Sequence, residues 1–593
     1  MSKDLTVVKP ATWSAVDGLG RVLPEHDSVG APREKFVGMF FWTWHNKYDD
    51  PENAVNKVWK IQSRGIGTTN VQKVLDEFPE AKNDYHHPAW KGCGYGHWNE
   101  PIYGFYHSTD EWVLRRQAEL LANALIDVVI FDNTNGSDTW ESGYMATGRA
   151  FEKAQKDGVN VPHIAFMLPL HEHWMGAEKN NEINRIQMRD IYQKVYQKGL
   201  FKDVWFYWKG KPLICGYPGG LNPNDPLDCE ILEFFTFRPI QPEYFKGQDR
   251  PNQWGWLSAY PQAVYNNADG TPEQITVGIA QNATIKGQLM AMSGFEVMGR
   301  TYTSKGFDTR ENAKLYGANF QEQWDRALRV DPEFVFVTGW NEWIAGRLEV
   351  RWDIPNGFGD QFCDECSRDI EPSKGDLKDH YYYQLCANVR KYKGIEPPQE
   401  PLSPVDLTAE SIESALANGA IYPDYQKDLS PRDAEGYYHY QNNSGRNAIT
   451  QTRVFHDTEY LYVQAICQNT ISDSSENNWM RLLIKTVQKS PTFEGFHYII
   501  NRQSPQETAV LERSLGGWNW EEAARCEYSL TENTLLIKIP LTALQLSDLS
   551  RFNLWLKWCD NNLGNGDILS VYTEGDASPG GRFAFAYRGL NNL

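Results

Sequence analysis

Glu342 stands between Trp340 and Trp343, directly after a strand-like run. Residues 334–337 of that run are apolar, β-branched or aromatic, which is the pattern of a strand buried on both faces. In a parallel α/β barrel, catalytic side chains follow the C-terminal ends of such strands. Indole faces can stack on sugar rings while a carboxyl group transfers protons at the glycosidic oxygen. The sequence therefore predicts Glu342 as a catalytic acid or base, unless it pairs with a nearby arginine such as Arg347.

Two more carboxylates follow strand-like runs and could complete the pair that glycoside hydrolysis needs. Carboxyl groups about 5–5.5 Å apart suit retention of configuration, and roughly 6.5–9.5 Å suits inversion. Asp132 follows the buried run 128–131, and Glu172 follows the run 163–168. We predict that both line the site and that either one transfers protons together with Glu342. The alternatives are a structural or helix-capping role for Asp132 and a bond to a substrate hydroxyl for Glu172.

Aromatic, imidazole and amide side chains surround these strand ends. Such groups stack against sugars or hydrogen-bond to their hydroxyl groups. The chain holds 22 Trp, 30 Tyr and 27 Phe, more than a core usually requires, although a large aromatic core would give the same counts. The residues predicted to contact substrate are Trp42, His45, His97, Trp98, His171, Trp174, Trp340, Asn341 and Trp343.

The chain is acidic, with 77 Asp and Glu against 58 Lys and Arg and a net charge of -19. Nucleic-acid binding requires a basic face, so this balance argues against a nucleic-acid partner. The sequence holds no run of 18 apolar residues and no apolar signal segment near its start, so no membrane partner is expected. An oligo- or polysaccharide substrate is the partner that the sequence indicates. The oligomeric state is not indicated.

Nine scattered cysteines have no framework spacing, which favours free thiols in a reducing compartment. We therefore expect a cytoplasmic protein. The alternative is a secreted or periplasmic protein whose signal peptide had been removed, because its N-terminal sequence would look the same. Cys363 and Cys366 form one CxxC pair without the second pair that a zinc site of this type needs. No glycine-rich phosphate loop follows any predicted strand, so neither a metal nor an organic cofactor is expected.

Strand and helix patterns alternate through the N-terminal two thirds of the chain, which indicates a parallel sheet. Roughly seven strands in this part favour a (β/α)8 barrel of the α/β class over an open sheet. A capping-box pattern from Ser108 to Glu111 marks the start of the first long helix. The predicted strands are 37–42, 127–132, 163–168, 212–217, 231–237, 275–281 and 334–337, and the predicted helices are 108–125, 140–157, 180–199 and 311–330.

The chain divides at a proline-rich stretch. Residues 46–107 are rich in His, Trp, Tyr and Gly, and we predict a folded loop over the mouth of the barrel. The stretch 395–404 is proline-rich and reads as a linker. Beyond it, apolar and polar residues alternate in short runs, which predicts an antiparallel β-sandwich. The predicted domains are therefore the barrel at 1–394 and the sandwich at 405–593.

Four stretches resemble, in the same order, strands of the glycoside hydrolase group related to endo-α-mannosidase, which includes relatives found in O-antigen gene clusters. They are 37–45, with aromatic residues and a histidine; 166–174, with a Glu-x-Trp tip; 209–214, with Gly-Lys-Pro; and 336–343, with Trp-Asn-Glu-Trp. The resemblance implies a (β/α)8 hydrolase in which Glu342 removes the proton of the sugar 2-hydroxyl. In that group a second glutamate stands three residues later, where this chain has Ala345. The C-terminal part resembles, in pattern alone, carbohydrate-binding sandwiches attached to secreted glycosidases.

The main functional prediction is hydrolysis of a glycosidic bond in an oligo- or polysaccharide. Ala345 leaves two alternatives open: a protein that binds carbohydrate without cleaving it, and a polysaccharide lyase. A lyase would use an arginine such as Arg347 or Arg300 to neutralise a uronate. Four further acidic residues have arginines nearby in the sequence and are expected to form ion pairs; they are Glu349, Asp353, Asp369 and Glu371.

Overall fold

The computed structural model describes residues 7–45, 66–170, 177–426 and 429–590. Helices in these ranges are α1 (His26–Val29), α2 (Val71–Glu77), α3 (Glu111–Asn123), α4 (Glu141–Lys156), α5 (Ala177–Ile191), α6 (Pro226–Phe234), α7 (Ala318–Val330), α8 (His380–Lys393), α9 (Ile412–Asn418) and α10 (Ser570–Thr573). None of them is long and apolar enough to cross a membrane within the described residues.

The N-terminal part contributes nineteen short strands from its described residues. They are β1 (Phe36–Phe41), β2 (Ile66–Asn70), β3 (Tyr95–His97), β4 (Val128–Asp132), β5 (His163–Met167), β6 (Tyr207–Trp208), β7 (Lys211–Cys215), β8 (Thr236–Phe237), β9 (Ile240–Gln241), β10 (Trp254–Gly255), β11 (Val264–Asn266), β12 (Pro272–Gly278), β13 (Gln281–Thr284), β14 (Val297–Met298), β15 (Tyr302–Thr303), β16 (Gly306–Phe307), β17 (Phe334–Thr338), β18 (Ile344–Arg351) and β19 (Ile354–Phe358).

The largest sheet of this part has the strand order β11-β12-β17-β1-β4-β5-β7-β6, with β8 also paired to β7. The strands from β12 through β17, β1, β4, β5 and β7 to β8 run parallel. Every residue of β4 and β17 is buried, as their continuous apolar runs predict. The mixed α/β class is confirmed. The C-terminal ends of β17, β1 and β4 are adjacent at one edge of this sheet.

The predicted strand at 231–237 is wrong over most of its length. Residues Pro226–Phe234 form α6, and only Thr236–Phe237 is a strand. The side chain of Asp225 accepts hydrogen bonds from the backbone N–H groups of Leu227 and Asp228, and proline occupies the first helical position. These are strong helix-start signals, and they outweigh the apolar run that suggested a strand.

The start of α3 also differs from the prediction, because Asp110 caps the helix in place of Ser108. The Asp110 side chain accepts hydrogen bonds from the N–H groups of Trp112 and Val113. The hydroxyl of Ser108 instead accepts a hydrogen bond of 2.8 Å from the backbone N–H of His45, at the end of β1. Ser108 therefore holds a strand end of the candidate site, and the capping box does not form.

The C-terminal part is built from antiparallel strands, and its side chains form one apolar cluster of their own and also join the core of the N-terminal part. They are β20 (Ala420–Pro423), β21 (Arg432–Glu435), β22 (His439–Asn442), β23 (Ile449–His456), β24 (Tyr460–Cys467), β25 (Arg481–Lys485), β26 (Tyr498–Ile500), β27 (Ala509–Gly516), β28 (Asn519–Leu530), β29 (Thr534–Pro540), β30 (Arg551–Asp560), β31 (Asp576–Ser578) and β32 (Phe585–Leu590). Strand β28 pairs with β27 through its first half and with β29 through its second half. Side chains of β24, β25, β29 and β30 therefore meet in one apolar cluster.

The hairpin of β21 and β22 connects the two parts of the chain. Arg432 donates from Nε and Nη2 to one carboxyl oxygen of Asp110 at 2.9 and 2.7 Å, and from Nη1 to the carbonyl of Tyr103 at 2.9 Å. At the tip of the hairpin, the Tyr437 ring lies 5.1 Å from the His97 ring. The hairpin thus reaches from the C-terminal part to a residue predicted to contact substrate.

Asp110→Asn should destabilise the protein by about 1–3 kcal/mol, because asparagine still caps α3 but no longer neutralises the buried Arg432. Urea denaturation would measure the free energy of unfolding. Asp225→Asn is the matched control, since Asp225 also caps a helix, but its ion pair with Arg189 is partly exposed. The free energy of unfolding of the control should fall by less than about 1 kcal/mol. Equal losses in the two variants would contradict the role given to the buried pair.

Candidate active site

Glu342 lies in the connection between β17 and β18, and several hydrogen bonds hold that connection in place. The N–H of Trp340 donates to the carbonyl of Phe40 at 2.9 Å, and the N–H of Glu342 donates to Asp369 at 2.6 Å. The Glu342 carboxyl is 6% exposed. One of its oxygens accepts hydrogen bonds from Arg368 at 3.0 Å and from Gln361 at 3.2 Å.

Arg368, and not Arg347, is therefore the arginine beside Glu342. Arg347 donates to the carbonyls of Tyr85 and Cys93 and to the side chain of Asn356. It holds the loop that carries β3, on the other side of β18. The alternative in which Glu342 pairs with an arginine is therefore confirmed in kind, but Arg347 as the partner is wrong.

Burial raises the pKa of Glu342 well above its usual value. The nearby charges of Asp360, Asp369 and Asp132 raise the pKa further, while Arg368 lowers it. A carboxyl group in this environment retains its proton at a pH where an exposed glutamate has lost it. Glu342 is thus suited to donate a proton near neutral pH.

Asp132 ends β4, two strands away from β17 at the same edge of the sheet. Its side chain is 2% exposed, and one oxygen accepts hydrogen bonds from the N–H and the hydroxyl of Thr134 at 3.1 and 2.8 Å. Burial raises the pKa of Asp132 to about 6. Asp132 does not cap a helix. Its charge is close enough to Glu342 to raise the pKa of that residue.

Asp360 is a carboxylate of the site that sequence reasoning missed. Its side chain is 48% exposed, and Nη2 of Arg368 lies 3.7 Å from Asp360 and 3.0 Å from Glu342. Because both carboxyl oxygens lie close to the same nitrogen, they are no more than about 7 Å apart, and this upper bound is compatible with the separations that glycosidases use. Asn282 holds Asp360 with a hydrogen bond of 2.7 Å. Asp360 follows the short strand β19 in an irregular loop, where no strand-end pattern points to it.

Asp369 and Glu371 also belong to the site, and the expectation of ion pairs with neighbouring arginines is wrong for them. Asp369 accepts hydrogen bonds from the indole of Trp98 and the backbone of Glu342, both at 2.6 Å. Glu371 accepts hydrogen bonds from three side chains, which are Tyr106 at 2.8 Å, Gln117 at 2.6 Å and Trp343 at 2.5 Å. Burial raises the pKa of Asp369 to about 6 and that of Glu371 to about 7.

The structure places three residues predicted to contact substrate in the interior of the protein; they are Trp98, Trp340 and Trp343. All three side chains are at most 1% exposed, so none presents a face to a ligand in this structure. Trp98 and Trp343 stack on each other with ring centroids 4.6 Å apart, and their N–H groups hold Asp369 and Glu371. These two indoles therefore position carboxylates beneath the site.

Asn341 and Trp42 join two strand ends. The side chain of Asn341 accepts a hydrogen bond from the N–H of Trp42 at 2.8 Å and donates to its carbonyl at 3.2 Å. The Trp42 ring stacks on Trp44, which stacks on Trp140. Trp42 and Asn341 are both buried, and in this structure the amide of Asn341 is used to fix the backbone.

His45 and His97 are both buried in the candidate site. The Nδ1 atom of His45 lies 3.1 Å from the Ser108 hydroxyl, and Nδ1 of His97 lies 3.0 Å from the carbonyl of Gly67. Burial lowers the pKa of His45 well below its usual value and that of His97 to about 4. Both rings are therefore neutral at neutral pH. The Tyr437 ring beside His97 comes from the C-terminal hairpin.

Three predicted positions lie outside the described residues, and their predictions remain untested. They are His171, Glu172 and Trp174. Within the described ranges, no group of three or more His, Cys, Asp and Glu side chains is arranged to hold a metal ion.

Asp132→Asn should become more stable relative to the wild type as the pH rises from about 4 to about 7. A pKa near 6 instead of 3.8 means that the folded wild type binds this proton more tightly than the unfolded chain does. The wild type should therefore lose about 3 kcal/mol of its free energy of unfolding as the pH rises over that interval. Asparagine keeps the bonds to Thr134 and does not titrate. Thermal unfolding of both proteins at pH 4, 5, 6 and 7 would measure the difference. A difference in Tm that does not vary with pH would contradict the buried, protonated state of Asp132.

No protein-family model matches the chain, and no curated protein matches it. Several solved structures do. A glycoside hydrolase family 99 endo-α-mannosidase from Bacteroides thetaiotaomicron is 12% identical, with 62% of this chain and 98% of that chain covered and a TM-score of 0.31. A family 1 β-glucosidase from Thermotoga maritima is 10% identical, with 62% and 99% covered and a TM-score of 0.25. An endo-β-1,4-mannanase from Thermotoga petrophila is 9% identical, with 82% and 96% covered and a TM-score of 0.21. All three are glycoside hydrolases, but at these TM-scores we draw no conclusion about function from them.

Proposed function

We propose that this protein is a glycoside hydrolase that cleaves an oligo- or polysaccharide, with Glu342 as its acid/base. The observation that carries the proposal is the environment of Glu342. This carboxyl is buried, its pKa is raised, and the charges of Asp132 and Asp360 act on it. A protonated carboxyl beside a second carboxyl is the arrangement that glycoside hydrolysis requires.

Asp132 is the second carboxylate in this proposal, as the sequence suggested. Ala345 cannot supply it, because an alanine side chain has no carboxyl group; this position lies in β18, paired with Gly96. Asp360 is a further candidate for the same role, supported by its exposure and by the arginine that it shares with Glu342. Glu172 remains a candidate outside the described residues.

The finer architecture belongs to the same proposal. The row of parallel strands supports a (β/α)8 barrel at 1–394, with the connection 395–404 leading to the C-terminal domain. Antiparallel strands of one large sheet that share an apolar cluster support a β-sandwich at 405–593, of the kind that binds carbohydrate. The resemblance to the endo-α-mannosidase group in the strand motifs agrees with this assignment.

A lyase is the less favoured activity, because the two arginines that suggested it are used elsewhere. Arg347 is hydrogen-bonded to backbone carbonyls beside β3. Arg300 is fully buried and donates to Ser367 and to the carbonyl of Asp369. Neither is positioned to neutralise a substrate carboxylate.

Incubating the full chain with a panel of neutral and acidic oligo- and polysaccharides tests the proposal. Hydrolysis produces new reducing ends without a change in ultraviolet absorbance. A lyase would produce reducing ends together with ultraviolet absorbance from a new double bond. Retardation of the protein in a gel that contains a polysaccharide, without any new reducing ends, would favour the binding protein. Either of the last two results would overturn the proposal.

A further inference from the structure

Cys363 and Cys366 lie in the loop 361–368, which follows β19 and carries residues of the site. The N–H of Cys366 donates to the carbonyl of Cys363 at 3.0 Å, so the four residues form a hydrogen-bonded turn. In such a turn the first and fourth Cα atoms are less than about 7 Å apart. A disulfide needs Cα atoms about 4.4–6.8 Å apart. The two cysteines are therefore placed for a bond without refolding of the loop.

The chemistry of the two thiols is unequal. Both residues are free and partly exposed. A hydrogen bond from the Cys366 thiol lowers the pKa of Cys363, and the same contact raises the pKa of Cys366. Cys363 is thus the residue that forms a thiolate first and attacks an external disulfide. Cys366 is the residue that then displaces the attached group from the mixed disulfide.

Both ends of this loop contact Glu342. The Gln361 side chain accepts a hydrogen bond from the N–H of Arg368 at 2.9 Å, and both side chains donate to the Glu342 carboxyl. The middle of the turn is fixed as well, because Asp364 accepts hydrogen bonds from Asn99 at 2.7 Å and Lys314 at 2.8 Å. A bond across the turn would therefore fasten the segment that positions the partners of Glu342.

We propose that Cys363 and Cys366 form a reversible disulfide by exchange with a low-molecular-mass disulfide such as oxidised glutathione. The Cys363 thiolate attacks one sulfur of oxidised glutathione, a mixed disulfide forms, and one glutathione thiolate leaves. The Cys366 thiolate then attacks the sulfur of Cys363 and releases the second glutathione. The two electrons and the two thiol protons pass to the two reduced glutathione molecules. In the oxidised protein, the disulfide restricts the motion of the loop 361–368.

The experiment equilibrates the folded full chain with mixtures of reduced and oxidised glutathione, blocks remaining thiols with iodoacetamide, and maps tryptic peptides. Cleavage after Arg351 and Arg368 places both cysteines in one peptide. We expect that peptide to lose its two alkyl groups as the oxidised fraction rises and to appear about 2 Da below the mass of its dithiol form. Adding dithiothreitol should restore both alkylations.

Thermal unfolding gives a second readout that does not depend on enzymatic activity. Oxidation should raise the Tm of the wild type by about 1–2 °C, because the bond closes a short loop of a large chain. Cys363→Ser and Cys366→Ser should each abolish this rise. Cys229→Ser, which replaces another partly exposed thiol, should retain it.

Two results would overturn the proposal. The first is full alkylation of both cysteines in the presence of excess oxidised glutathione. The second is a stable mixed disulfide of glutathione on Cys363 that Cys366 does not displace. Since neither readout measures hydrolysis, these results leave the proposed glycosidase activity untouched, and a failure to find glycosidase activity leaves the disulfide untouched.

Discussion

Glu342→Gln should lower kcat by about a thousandfold on any substrate that the wild type hydrolyses, because a positioned acid/base contributes about 10²–10⁴-fold. Glutamine has nearly the same shape and can still accept the hydrogen bond from Arg368, so folding and substrate binding should persist. Initial rates of reducing-end release, with Tm and KM measured in parallel, would separate lost chemistry from lost structure.

The pH dependence of the rate adds a second test of Glu342. A group that must be protonated to act loses activity as the pH rises through its pKa, and burial has raised that pKa well above the usual value. The alkaline limb of the wild-type profile should disappear in the residual activity of Glu342→Gln. Glu349→Gln is the matched control, since Glu349 is exposed on β18, and it should retain wild-type kinetics. A wild-type kcat in Glu342→Gln would remove Glu342 from the mechanism.

Arg368→Met should destabilise the protein by about 3–5 kcal/mol at a pH above the pKa of Glu342, because it leaves the ionised, buried carboxylate of Glu342 without the cation that it shares with Asp360. Since Arg368 lowers the pKa of Glu342, its loss should raise that pKa further and move the alkaline limb of the rate profile to higher pH. The loss of stability should be smaller below the raised pKa of Glu342, where its protonated carboxyl needs no cation. Urea denaturation at pH values below and above the alkaline limb and a pH–rate profile would measure both effects.

Two further variants keep the Arg368 prediction testable if the methionine variant folds poorly. Arg368→Lys keeps the charge but loses the planar guanidinium, so it should move the rate profile less than methionine does. Arg329→Met removes an exposed arginine from α7 and should leave stability within about 0.5 kcal/mol of the wild type. An alkaline limb that moves to lower pH in Arg368→Met would contradict the pairing of Arg368 with Glu342.

The strand ends of the candidate site could be predicted because local pattern determines them. The buried runs that form β4 and β17 are continuous and apolar, and the carboxylates Asp132 and Glu342 stand where those runs stop. Adjacent parallel strands then bring their C-terminal ends together without further information from the sequence.

The loop residues of the site could not be predicted in this way. Asp360, Arg368 and Asp369 lie in irregular backbone, and their contacts with Glu342 depend on a path that no periodicity encodes. The burial of the tryptophans could not be predicted for a related reason. Composition tells how many indoles a chain has, but Trp98 and Trp343 are buried by neighbours that are distant in the sequence.

The hairpin of β21 and β22 restricts how a protein of this kind can evolve by exchange of modules. Its Arg432 neutralises Asp110 at the start of α3, and its Tyr437 packs against His97. An unrelated C-terminal domain recombined at residues 395–404 would leave a buried carboxylate unpaired and a histidine uncovered. We therefore expect the two parts to be inherited as one unit and changes on either side of this contact to be selected together.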